Sequence, residues 1–104
     1  MKILELLKER ITYLGHCSGA YRMAHAAWSA CDHRELPGPS VLEISVGLDE
    51  GNKELYFKLC KIITYPDYSN DDQAEMLRWL HEAGYSGYVA KQVKMTKKKL
   101  IDWV

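Results

Sequence analysis

The run Leu36-Pro37-Gly38-Pro39-Ser40 splits the chain, because two prolines around a glycine cannot continue a helix. The apolar spacing differs on its two sides. Before it, Ile3, Leu4, Leu7, Ile11 and Leu14 fall on one helical stripe, with Lys2, Glu5, Glu9 and Arg10 elsewhere. That pattern predicts an amphipathic helix ending near Gly15. Ser18 is placed to cap a second helix over roughly residues 19–31, in which Ala20, Ala24, Ala27 and Cys31 share a side. Small side chains there permit close packing, and Trp28 supplies bulk.

After the break, Leu42, Ile44, Val46 and Leu48 alternate with Glu43, Ser45 and Gly47, the period of a half-buried strand. Asp49 to Lys53 reads as a turn and residues 54–65 as a second strand, the two pairing as a hairpin. Leu55, Phe57 and Leu59 on one face and Tyr56, Cys60 and Ile62 on the other make this strand the more central one. Tyr65-Pro66-Asp67-Tyr68 leaves it, and Ser69 or Asn70 caps the next helix, with Asp71 and Asp72 complementing its dipole. Met76, Leu77, Leu80 and Ala83 form that helix's buried stripe, and Gly84 follows its last turn. Tyr85 to Val93 reads as a third strand. Thr96 then caps a final helix with Leu100, Trp103 and Val104 inward and Lys97, Lys98 and Lys99 outward. The expected architecture is a single α/β (α+β) domain over residues 1–104, a three-stranded mixed sheet with helices in the order α-α-β-β-α-β-α.

The composition, 47% hydrophobic and 27% charged, is that of a globular domain and excludes disordered or collagen-like chains. A chain of 104 residues buries roughly two thirds of its unfolded surface, enough for one core without metals or disulfides. No apolar run approaches the roughly 20 residues that span a bilayer. Charge returns at Glu5, Lys8, Glu9 and Arg10 too soon for a signal peptide. The expected location is cytoplasmic, with no membrane partner. Cys17, Cys31 and Cys60 are odd in number and widely spaced, which suits reduced thiols. The formal net charge is zero, so little repulsion opposes self-association and a symmetric homodimer is expected. That zero hides an asymmetry: residues 91–104 carry +4 and residues 1–90 carry −4.

From Ser69 onward the chain carries Ser69, Gln73, Leu77, Leu80, Ala83, Gly84, Tyr85, Tyr88, Val89 and Ala90 in the spacing S-x-x-x-Q-x-x-x-L-x-x-L-x-x-A-G-Y-x-x-Y-V-A. This stretch resembles the distal half of the virus-type replication-repair nuclease (VRR-NUC) domain of the PD-(D/E)xK superfamily. The resemblance implies a nuclease-like fold from about residue 36 onward: a hairpin with the metal site, the Gln-containing helix, then a strand and a short helix. It also implies an Asp after a proline at the head of the hairpin and an E-x-K triplet in the next strand, carboxylates that hold Mg²⁺ to activate water. This chain departs at both positions. Ser40 follows Pro39, and Phe57-Lys58-Leu59-Cys60-Lys61 contains no acid; Glu43 and Asp49 are the nearest substitutes. The resemblance therefore implies a catalytically inactive relative, a phage-encoded accessory protein with an anti-defence role that inhibits a host protein or a defence complex.

The residues themselves lead to a binding protein rather than an enzyme. The chain has no Gly-rich phosphate loop and no paired catalytic carboxylates. Cys31, Asp32 and His33, with His16 and Cys17, are zinc-ligand types. No C-x-x-C or H-x-x-x-H pair pre-forms a chelate, so no metal or cofactor is expected. His16-Cys17 lacks an oxyanion hole and an orienting acid. The first candidate contact surface is Tyr65, Asp67, Tyr68, Asp71 and Asp72. Tyrosine buries area at low entropy cost, and the acids mimic phosphates toward a basic partner, although capping alone also explains them. The alternative is nucleic-acid processing or binding, with Lys91, Lys94, Lys97, Lys98 and Lys99 on phosphates and Tyr85, Tyr88 and Trp103 stacked on bases. For these the plain reading is a solvated helix face and core aromatics. A third reading is a small-ligand (nucleotide) sponge in an oligomer cleft.

Overall fold

A computed structural model describes residues 3–32, 37–62 and 68–103, with Val41 and residues 99–103 described by backbone alone. Along it run α1 (Ile3–Leu14), α2 (Ser18–Cys31), α3 (Val41–Gly47), α4 (Glu50–Leu59), α5 (Asn70–Glu82) and α6 (Ser86–Trp103). No strand occurs among the described residues. The expected α/β domain with a three-stranded sheet is therefore corrected to a helical one.

The centre of the molecule is α2, which packs against each of the other five helices. Its composition makes this feasible. Ala20, Met23, Ala24, Ala26, Ala27 and Cys31 are at most 5% exposed, and the short alanines let neighbouring helices approach from several sides. Ile3, Leu7 and Ile11 of α1 and Met76 and Leu80 of α5 are fully buried in the same core.

Two helices, α1 and α5, begin or end where local signals predict them, whereas Ser18 is not the cap expected of α2: the N-cap is Cys17, with no side-chain cap, and Ser18 is the first helical residue. Gly15, at φ 74°, ends α1, and its N–H donates to the Ile11 carbonyl at 3.0 Å. Ser69 caps α5 in a capping box with Asp72: the serine hydroxyl accepts the Asp72 N–H at 3.2 Å, and the carboxylate accepts the Ser69 N–H at 3.2 Å. At the other end of α5, Gly84 at φ 94° allows the Gly84 N–H to reach the His81 carbonyl and the Tyr85 N–H to reach Leu80.

Each of the three expected strands is helical instead, and the reason is visible in burial. An alternating apolar run also contains pairs four residues apart, the spacing of one helix face. The buried pair is Ile44 in α3 and Leu48 at its C-cap, at 4% and 6% exposure, while Leu42 and Val46 of α3 stand 70% and 75% exposed. Ser40 caps this helix, accepting the Glu43 N–H at 3.1 Å. The expected turn at Asp49 is the start of α4, where the Asp49 carboxylate accepts the Asn52 N–H at 2.9 Å. Asn52, Leu55 and Leu59 of α4 and Ile62 beyond it are buried, and Phe57 is 60% exposed. Tyr85, Val89 and Val93 are four apart and at most 8% exposed, so the expected third strand and final helix are one helix, with Thr96 inside it. A nuclease-like hairpin is thus replaced by α3 and α4, and the positions compared with nuclease acids, Ser40 and Phe57 to Lys61, lie at a helix cap and a helix end.

Candidate functional site

The contact surface expected around Tyr68 is tied into the fold. Tyr65 and Asp67 lie outside the described residues. The Tyr68 hydroxyl donates to the Ala30 carbonyl near the end of α2, and the Tyr68 carbonyl accepts from the Gln73 side chain at 3.0 Å. Burial pushes the Tyr68 phenol above its ordinary value, so it stays a donor at neutral pH. Asp72 is engaged with Ser69, its carboxylate 2.6 Å from the hydroxyl oxygen. Asp71 is exposed in the first turn of α5, where an acid favours the helix dipole.

The basic end of the chain takes on a defined geometry. Because α6 is continuous from Ser86 to Trp103, it runs about 27 Å, and its inner line is Tyr85, Val89 and Val93. Lys91, Lys94 and Lys98, spaced three and four apart, fall on the opposite line, and all three are exposed. Lys97 is exposed beside them; the Lys99 side chain lies outside the described residues. None of Lys91, Lys94, Lys97 and Lys98 is ion-paired among the described residues. Met95, 44% exposed, sits on the same outer side. The spacing gives three ammonium groups over about 10 Å of helix axis. Sequence reasoning found the lysines but not their alignment, which requires residues 85–93 to be helical.

The aromatics expected to stack on bases do structural work. Tyr85 is 3% exposed, donates its hydroxyl to the Gly15 carbonyl at 2.6 Å, and stacks on His16 with ring centres 5.1 Å apart. Tyr21 packs on Tyr85 and Tyr88, and its hydroxyl lies 3.1 Å from His16 Nδ1. This cluster braces the α1–α2 turn against the α5–α6 turn. Burial raises the phenols of Tyr85 and Tyr88. The Trp103 side chain lies outside the described residues.

Among the described residues no three His, Cys, Asp or Glu side chains gather as metal ligands. Cys31 is buried, while Cys17 and Cys60 are exposed, and all three are free thiols. His33 lies outside the described residues. No helix among the described residues is long and apolar enough to cross a membrane. No family model, curated protein or solved structure matches this chain.

Proposed function

We propose that the protein is a binding protein whose partner is a nucleic acid, held along the outer face of α6. The observation that carries this reading is the line Lys91, Lys94 and Lys98, exposed and free of ion pairs among the described residues, opposite the buried line of Tyr85, Val89 and Val93. A phosphate chain rewards such a line, since each neutralised phosphate releases a counterion. The arrangement binds without chemistry on the substrate.

Fluorescence anisotropy on labelled duplex and single-stranded oligonucleotides tests it. Three phosphate contacts on duplex predict a log–log salt slope near −2.7, about a 40-fold loss of affinity between 50 and 200 mM salt. Changing Lys91, Lys94 and Lys98 together to Ala removes that slope, whereas Lys53→Ala, on a lysine 3.4 Å from Glu50, leaves it unchanged. Wild-type protein that fails to bind, or a triple variant that binds as well, refutes the reading.

A second reading, contact with another protein, is favoured by Leu42 and Val46. One turn apart on α3, they are 70% and 75% exposed. Apolar side chains standing out on one face belong to surfaces that are covered in complexes. Under this reading Leu42→Glu abolishes partner capture and the lysine variant does not.

A further inference from the structure

A second feature lies away from α6. Leu6, Glu9, Arg10 and Tyr13 lie three, one and three residues apart along one line of α1, and Gly51, Glu54, Leu55 and Lys58 repeat that spacing on α4. The two lines enclose an open groove of about 600 Å³, within the usual range of small-ligand sites. Leu55, 8% exposed, belongs to the core and gives the groove an apolar floor.

The guanidinium of Arg10 is held in place. Its Nη1 donates to Asn52 Oδ1 at 3.1 Å, and Asn52 is 3% exposed, with its own backbone N–H fixed by Asp49. Arg10 has no carboxylate partner among the described residues, so the remaining donors of its planar fork are available along the groove that it lines. Gly51 lines the groove next to this guanidinium, and a Cβ there would stand in ordinary contact with Nη1, at 3.5 Å. Beside it the Tyr13 ring is 86% exposed, an uncommon state for an aromatic within a helix.

We propose that this groove is a binding site for a nucleoside monophosphate. Arg10 from α1 and Lys58 from α4 offer positive charge to one phosphate, and the guanidinium fork suits its paired oxygens. Tyr13 supplies the flat surface on which a base stacks, a contact tolerant of base identity. Glu9 and Glu54, one on each wall, accept hydrogen bonds from the hydroxyls of a ribose. The two carboxylates balance the two cations, so the groove has no net charge of its own. A phosphate without base and sugar therefore gains little, and all three parts of the ligand are needed. None of the α6 lysines lines the groove, so this site and the nucleic-acid face stand or fall separately.

Titration calorimetry of the purified chain with AMP, GMP, CMP and UMP tests the proposal, with inorganic phosphate and adenosine as partial ligands. The expected result is saturable binding of the monophosphates at micromolar to submillimolar concentration, at least tenfold weaker for either partial ligand. Arg10→Gln and Tyr13→Ala each weaken binding at least tenfold. Tyr13→Ala alters an exposed side chain, so its effect is independent of folding. The triple change of Lys91, Lys94 and Lys98 to Ala leaves nucleotide binding unchanged. No heat with any monophosphate at about 1 mM, or phosphate binding as well as AMP, or affinity unmoved by Tyr13→Ala, overturns the proposal.

Discussion

The helical reading of residues 41–48 is tested by truncating four side chains one at a time. A strand would place Leu42, Ile44, Val46 and Leu48 on one face, and all four changes to Ala would have similar costs. In α3 they divide. Ile44 and Leu48 are 4% and 6% exposed within the main core, so each change to Ala loses nearly the whole transfer free energy and leaves a cavity. Buried Leu and Ile truncations cost about 2–5 kcal/mol; about 2–4 is expected here, because a seven-residue helix at the edge of the core relaxes inward. Leu42 and Val46, at 70% and 75% exposure, have little buried area to lose, and alanine is the better helix former. Their changes fall within about 0.5 kcal/mol of wild type. For a domain of this size the first pair lowers Tm by roughly 10–25 °C and the second by less than about 4 °C. Urea and thermal unfolding followed by far-ultraviolet circular dichroism measure both. Equal losses at all four positions would refute the helix.

Two further outcomes follow from single residues. Gly84→Ala costs about 1–2 kcal/mol through backbone conformation alone, since φ is 94° and the nearest atom to an added Cβ, His16 Cε1, is at a comfortable 3.8 Å; a variant as stable as wild type in urea contradicts this. His25 is 2% exposed, its Nε2–H donates to the Pro37 carbonyl at 3.0 Å, and Nδ1 has no partner among the described residues. Burial lowers its pKa from 6.5, against weaker upward pulls from the Pro37 hydrogen bond and Glu43. The unfolded chain therefore takes up the proton first on acidification. The His25 contribution is complete above about pH 6.5 and is lost as pH falls toward the lower folded value, with a slope of at most about 1.4 kcal/mol per pH unit. His25→Gln flattens that part of the stability profile, and identical profiles for variant and wild type between about pH 6.5 and 5 would contradict the assignment.

What the sequence makes legible is what depends on neighbours in the chain. Gly15, the Ser69 and Asp72 pair, and Gly84 mark helix ends by local hydrogen bonding, and α1 and α5 lie where those marks place them, while α2 is legible from its alanine-rich side rather than from a cap. Residues 41–62 carry equivalent marks, Ser40 three before Glu43 and Asp49 three before Asn52, but next to Pro, Gly and Asn they read equally well as turns. The β-branched Ile44, Val46, Val89 and Val93 pull the reading toward strands, and packing on α2 overrides that preference. The candidate sites follow the same division. The α6 lysines are visible as a charge excess, but their alignment needs the helix. The α1–α4 groove is invisible, because Arg10 and Asn52 are 42 residues apart and α4 reads as a turn and a strand.

The position of α2 explains how so short a chain keeps more than one surface free for binding. Since the surrounding helices take their buried contacts mainly from one alanine-rich helix, each spends only one face on the core. For α6 that face is Tyr85, Val89 and Val93, leaving Lys91, Lys94 and Lys98 outside; for α3 it is Ile44 and Leu48, leaving Leu42 and Val46. The helices α1 and α4 also contact each other, and the groove is the crease of that contact. Charge follows the same plan. Exposed lysines on a peripheral helix add little to stability, so folding does not account for this line of charges without ion pairs among the described residues. A line of like charges four or fewer residues apart is mildly unfavourable to the isolated helix. Under the proposed function, a phosphate chain laid along α6 would turn that repulsion into affinity.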